Sequence, residues 1–108
     1  MLPKTKRLTK EDFKKNRQKF FFRGELFDVS YIPLPSQKFA CVISKKTLNK
    51  AVDRNTTRRR VYNSLHAYIK EEHHTTPYSL IFYPKKTLLT TPYQQLYNEI
   101  KKVFDTLH

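Results

Sequence analysis

Two stretches of the chain place cations where they could handle phosphate. The first is Ser44-Lys45-Lys46, followed by Ala51-Val52-Asp53-Arg54-Asn55-Thr56-Thr57-Arg58-Arg59-Arg60. It reads as a strand end, a basic loop and a helix opening, with Asp53 as a plausible N-cap. A helix start carries unpaired N–H groups and a partial positive charge, so it suits an anion. Three successive arginines in the first turns would be disfavoured there unless an anion meets them. Arginine also offers bidentate phosphate contacts and base stacking that lysine does not. Steps of 100° place Asn55, Arg59 and Tyr62 on one side of this helix, away from the apolar stripe. The second stretch interleaves charge with rings: Phe13, Lys14, Lys15, Arg17, Lys19, Phe20, Phe21, Phe22 and Arg23. Aromatic faces among cations suit single-stranded nucleic acid, or else the phenylalanines are core.

Hydrolytic or metal chemistry has little to build on. No carboxylates pair at a plausible spacing, and Cys41 stands alone in an apolar run, where it reads as a small buried hydrophobe. His66, His73 and His74 cluster without nearby cysteines and read as exposed loop histidines, so no metal site and no catalytic residue are expected.

The whole chain agrees with a polyanion binder. It has 108 residues with 22 Lys and Arg against 9 Asp and Glu, a formal charge of +13. That excess repels itself in a folded domain, which points to nucleic acid first and an anionic membrane surface second. The charge is uneven. Residues 1–23 carry nine cations against two acids and residues 38–60 carry eight against one, while the remainder holds five against six. No apolar run approaches a membrane span, and Met1-Leu2-Pro3-Lys4 lacks the apolar core of a secretory signal, so a cytoplasmic location is expected.

These residues need a scaffold, and 38% hydrophobic content supplies material for one domain, taken as residues 1–108. Thr9-Lys10-Glu11-Asp12 starts a helix from about Lys10 to Gln18, and Phe20-Phe21-Phe22 suggests a short strand. Leu26 to Ile32 alternates as a half-buried strand. Phe39 to Ser44 follows, with Phe39, Cys41 and Ile43 on one face and Ala40, Val42 and Ser44 on the other. The short Pro33–Gln37 connection predicts that these two strands pair antiparallel. A long helix runs to about Glu72 on a stripe of Val61, Leu65, Tyr68 and Ile69. Tyr78 to Tyr83 forms another strand. Thr91-Pro92-Tyr93-Gln94 forms a capping box for a last helix with Leu96, Ile100, Val103, Phe104 and Leu107 as its stripe. The economical fold is α+β, a two-layer sandwich of about four strands and three helices.

The chain resembles the protein subunit of bacterial-type ribonuclease P along nearly its whole length. Lys6-Arg7-Leu8 with Asp12-Phe13, the strand Phe27–Ile32, Ser44-Lys45-Lys46, Ala51-Val52, Arg54-Asn55 and Arg58-Arg59, Tyr78-Ser79-Leu80-Ile81-Phe82 and Tyr93 fall in the family's order. Thr56 replaces a cation of the family signature, the Thr47–Lys50 loop lacks a common glycine, and Arg17 stands where a second aromatic is usual, with Phe20 as its substitute. The resemblance implies a left-handed crossover between parallel strands, where general rules favour a right-handed one. It implies removal of the 5′ leader from precursor tRNA by a catalytic RNA partner with bound Mg²⁺, while the protein helps hold substrate and metal. The Mg²⁺ is associated with the RNA, and no protein side chain is assigned to it. The RNA-subunit surface would be Lys45, Lys46, Arg54, Asn55, Arg58 and Arg59. The leader cleft would be Phe13, Arg17, Ala40, Val42 and Ser44. No membrane or DNA partner is expected. A ribosomal or translation-associated RNA-binding protein shares the composition, and a self-sufficient small nuclease is the other alternative.

Overall fold

The computed structural model describes residues 19–33, 38–72 and 78–106. Strands β1 (Lys19–Arg23), β2 (Phe27–Ile32) and β3 (Phe39–Cys41) precede helix α1 (Ala51–Glu72). Strand β4 (Ser79–Pro84), a short 3-10 helix (Lys86–Thr90) and helix α2 (Tyr93–Thr106) complete the order. The expected α+β class and four-stranded sheet are present. Two α-helices lie among the described residues; the helix expected from about Lys10 to Gln18, the residues Phe13 and Arg17, and His73, His74 and Leu107 fall outside them.

The sheet order is β1-β2-β4-β3, with β2 antiparallel to β4 and β3 parallel to β4. The expected β2–β3 pair is therefore corrected: the two strands run in opposite directions, but β4 lies between them. The physical reason lies in β4 itself. Leu80 and Phe82 are buried on one face and Ile81 on the other, and a strand apolar on both faces gains most at the centre of a sheet. The connection after Ile32 need only cross two strand spacings of ~4.8 Å, within the reach of six residues. Strand β3 also stops at Cys41 rather than Ser44, although the N–H of Val42 still donates to the Phe82 carbonyl at 2.9 Å.

Both helices contribute to the main core. Phe27, Val29, Phe39, Cys41, Leu80 and Phe82 from the sheet meet Val61, Leu65 and Tyr68 of α1 and Leu96, Ile100, Val103 and Phe104 of α2. Tyr68 stacks on Phe104 at 4.7 Å between ring centroids, which locks the two helices together. Tyr62, expected to face outward, is buried instead. The buried arc of α1 is wide because the helix contacts α2 as well as the strands.

Two local expectations are also revised. Asp53 is not the N-cap of α1; the helix begins at Ala51, and the Arg54 N–H reaches the Lys50 carbonyl at 3.1 Å. Thr91 does not form a capping box. Its hydroxyl donates to the Thr87 carbonyl at 2.7 Å, and the Leu96 N–H closes the first turn of α2 on Pro92 at 3.2 Å. The 3-10 helix offers the Thr91 hydroxyl a carbonyl to donate to, and the hydroxyl turns there instead of accepting an orphan N–H of α2.

Three adjacent phenylalanines cannot share one face of a regular strand. Between Phe20 and Phe22 the β1–β2 register shifts, so Phe21 and Phe22 both pack against the main core while Phe20 remains exposed. The turn that follows is held by Glu99 of α2, which accepts the N–H groups of Glu25 at 3.0 Å and Leu26 at 2.8 Å. Gly24 fits there for want of space: a Cβ would lie 2.6 Å from the Phe22 ring and 2.7 Å from a Glu99 oxygen.

Candidate nucleic-acid interface

The basic interface begins where the core ends. Burial along α1 starts at Thr57, so residues 51–56, none of them buried, project past the sheet. Lys50, at the N-cap place, has no acceptor in its side chain for the first N–H groups. Just before it, Ser44 organises a turn: its side-chain oxygen lies 3.1 Å from the Thr47 hydroxyl and accepts the Thr47 N–H at 3.2 Å. The Ser44 carbonyl accepts the N–H groups of Thr47 and Leu48 at 3.1 and 3.2 Å. Leu48 is buried and pins the turn, leaving Lys45 and Lys46 exposed at its tip.

The arginines divide their work. Arg54 donates from Nη1 to the Leu48 carbonyl at 2.8 Å, tying the helix start to the basic turn. Arg58 donates from Nε to the Cys41 carbonyl at 3.4 Å and from Nη1 to Asn55 Oδ1 at 3.0 Å, joining α1 to the end of β3. Arg60 turns to the other flank and donates to the carbonyls of Leu88, Leu89 and Thr91 at the C-terminal end of the 3-10 helix. Arg59 is exposed. The triplet thus lies two turns into the helix rather than in its first turn, and carbonyl oxygens offset the charge of two of its members. A guanidinium has five N–H groups, so each of these two arginines carries more donors than a single carbonyl contact uses. Thr56, the departure from the family signature, is exposed and donates back to the Val52 carbonyl at 2.9 Å.

The leader-cleft expectation falls on the reverse face of the sheet. Ala40 is buried there with Ile32 and Ile81, Val42 is 42% exposed, and Ser44 is exposed and engaged with Thr47. The register places Phe20, Ser30, Ile81 and Ala40 in one row across all four strands. Phe20, 41% exposed, lies 5.2 Å from the Tyr83 ring, and the Arg23 guanidinium sits 5.0 Å over Phe20. Asp28 holds this corner through Arg23 at 3.3 Å and Lys85 at 3.4 Å. Sequence reasoning put Arg23 in the basic aromatic stretch but missed Tyr83. The signal was present, because period-2 alternation along β4 puts Tyr83 on the face of Ile81.

Cys41 separates the two surfaces and belongs to neither. Burial pushes its thiol up to about 12, only partly opposed by the nearby Arg58 charge, so it is an inert packing group. Among the described residues no three His, Cys, Asp or Glu side chains converge as metal ligands.

A family model for ribonuclease P matches residues 2–108. The chain belongs to that family. The fold agrees with solved structures of the Staphylococcus aureus RNase P protein. One, at 18% identity, aligns over 97% of this chain and 100% of that one with a TM-score of 0.67. A second, at 18% identity, covers 100% of this chain and 96% of that one with a TM-score of 0.62. A third is a mutant of that protein with defective mRNA degradation activity, again at 18% identity, covering 94% and 87% of the two chains with a TM-score of 0.68. No curated protein sequence matches the chain. Family membership makes this an RNA-binding protein subunit of ribonuclease P, a ribonucleoprotein endoribonuclease of precursor-tRNA processing. The ribosomal alternative gives way to that assignment. No helix among the described residues is long and apolar enough to cross a membrane.

Proposed function

We propose that the protein works as one domain over residues 1–108, docking the catalytic RNA through the projecting start of α1 and gripping the 5′ leader of precursor tRNA on the reverse face of the sheet. The observation that carries this reading is the separation of the two surfaces. Exposed Lys45, Lys46, Asn55 and Arg59, braced by Arg54 and Arg58, form a cationic ledge beyond the core. Val42 and the Phe20–Tyr83 pair form an aromatic and apolar surface on the other side of the sheet.

The chemistry of each surface suits its role. On the ledge, arginines already fixed by hydrogen bonds to carbonyls lose little freedom on meeting phosphates, and folded RNA presents those at high density. On the sheet face, rings can stack on unpaired bases whatever their identity, at ~1–3 kcal/mol per base. Phe13 and Arg17 would complete the cleft with Ala40, Val42 and Ser44, and Phe20 would serve as the second aromatic. In this reading the RNA carries phosphodiester hydrolysis with Mg²⁺, and the protein contributes substrate retention and charge neutralisation. The β3-α1-β4 crossover would be left-handed, as in the family, and the complex would act in the cytoplasm.

The test is reconstitution. Added to a matched ribonuclease P RNA at low Mg²⁺, the protein should stimulate leader removal; no stimulation at any protein concentration would overturn the reading. A paired test is Arg58→Ala with Arg59→Ala, which should weaken RNA binding and flatten its salt dependence by roughly one counterion per lost phosphate contact.

A further inference from the structure

On the flank of α1 that Arg60 ties to the 3-10 helix, the Ser44–Lys50 turn and the 3-10 helix enclose an open groove of ≈ 530 Å³. That lies in the roughly 300–1,000 Å³ range of sites that hold compact ligands. Its lining is unlike that of an apolar pocket or a stacking site. Lys46 and Lys86 supply two ammonium groups, and Thr47, Thr87 and Thr90 supply hydroxyls. Leu48 and Leu89 are its apolar members, and no ring borders it. This is the polarity of a sugar-phosphate backbone rather than of a base.

Asp53 is the informative member. It lines the groove and is half-buried, yet its carboxylate makes no hydrogen bond or ion pair among the described residues. A lone acid is the reverse of what charge complementarity alone would put on a face that meets a polyanion. Ionised, it can only accept hydrogen bonds. An RNA chain offers a donor next to each phosphate, the ribose 2′-hydroxyl, and that group separates RNA from DNA.

We infer that this groove is a ribonucleotide subsite, in which Lys46 and Lys86 hold one phosphate of the RNA subunit and Asp53 accepts the adjoining 2′-hydroxyl. The inference rests on the docking reading above and extends it to the 3-10 helix. Lys46 belongs to both the ledge and the groove, so the RNA subunit rather than the leader is the assigned occupant.

The experiment measures affinity of the full chain for a matched ribonuclease P RNA across a salt series, with helix content and thermal midpoint followed for each variant. Lys86→Ala should weaken binding and lower the slope of log K against log salt by about one. Asp53→Ala should also weaken binding, although it removes a negative charge, whereas Asp53→Asn, which keeps an acceptor oxygen, should bind at least as well as the parent. Simple repulsion predicts the opposite sign for Asp53→Ala. If Arg59→Ala weakens binding while Lys86→Ala is silent and Asp53→Ala binds more tightly, the subsite is overturned and the docking reading stands. If Arg59→Ala is silent as well, the docking reading falls with it. If Lys86→Ala leaves RNA-subunit binding intact but weakens precursor tRNA binding by the assembled enzyme, the assigned occupant is wrong.

Discussion

On the helix side of the sheet, Phe27, Val29, Phe39, Leu80 and Phe82 are fully enclosed by α1 and α2. One residue along on the same strands, the apolar cluster of the reverse face among the described residues is Ile32, Ala40 and Ile81, with Phe20 and Val42 at the surface. In the proposed reading the strands therefore do two jobs by alternation, with stability on one face and the leader-binding surface on the other. Because successive side chains point to opposite faces, substitutions on the binding side need not disturb the core.

The largest test of that division compares Phe82→Ala with Val42→Ala. The first should cost about 3–5 kcal/mol of unfolding free energy, and the second should stay within about 0.5 kcal/mol, both read by urea denaturation. Equal losses would mean that the reverse face is a second core. A smaller effect, about 1–3 kcal/mol, is expected from Glu99→Ala, which strands the buried N–H of Leu26 and that of Glu25. Gly24→Ala should also destabilise the same turn, since its Cβ meets Phe22 and Glu99.

The neighbours Arg59 and Arg60 sharpen the contrast between binding and stability within one helix turn. Arg60→Ala should cost about 1–3 kcal/mol by releasing three carbonyls of the 3-10 region, with little change in the salt slope of RNA binding. Arg59→Ala should leave stability within about 0.5 kcal/mol and reduce that slope by about one. The smallest signal belongs to Cys41. Iodoacetamide at pH 8 should label it negligibly in the folded protein and readily in urea. With the folded thiol raised to about 12 from its ordinary 9.0, the folded state binds the proton more tightly. Its contribution to stability is full below about pH 9 and is lost as pH rises toward 12.

Much of this was legible along the chain. The period-2 pattern from Phe27 and the stripe Val61-Leu65-Tyr68 marked the core face, and the second charge block is the stretch proposed to dock the RNA subunit. Tyr62 was misplaced because a wheel calculation knows the helix axis but not how many elements it touches. The Thr91-Pro92-Tyr93-Gln94 box was misread because a capping motif competes with any other acceptor nearby, here the Thr87 carbonyl. Phe20-Phe21-Phe22 could not be assigned to faces without the register shift in β1.

By itself, the amino-acid order determined the class of partner, the family resemblance and the alternation that separates Cys41 from Ala40 and Val42. These depend on composition and on neighbours a few residues apart. Tertiary structure decided that β4 enters between β2 and β3, and that Arg58, Arg59 and Arg60 take three different directions. Both outcomes depend on groups far apart in the chain: Ile81 against Ala40 and Ile32 in the first case, and the carbonyls of Cys41 and of residues 88, 89 and 91 in the second. No local pattern carries that information, because a hydrogen bond across 17 or 29 residues is set by packing and not by spacing.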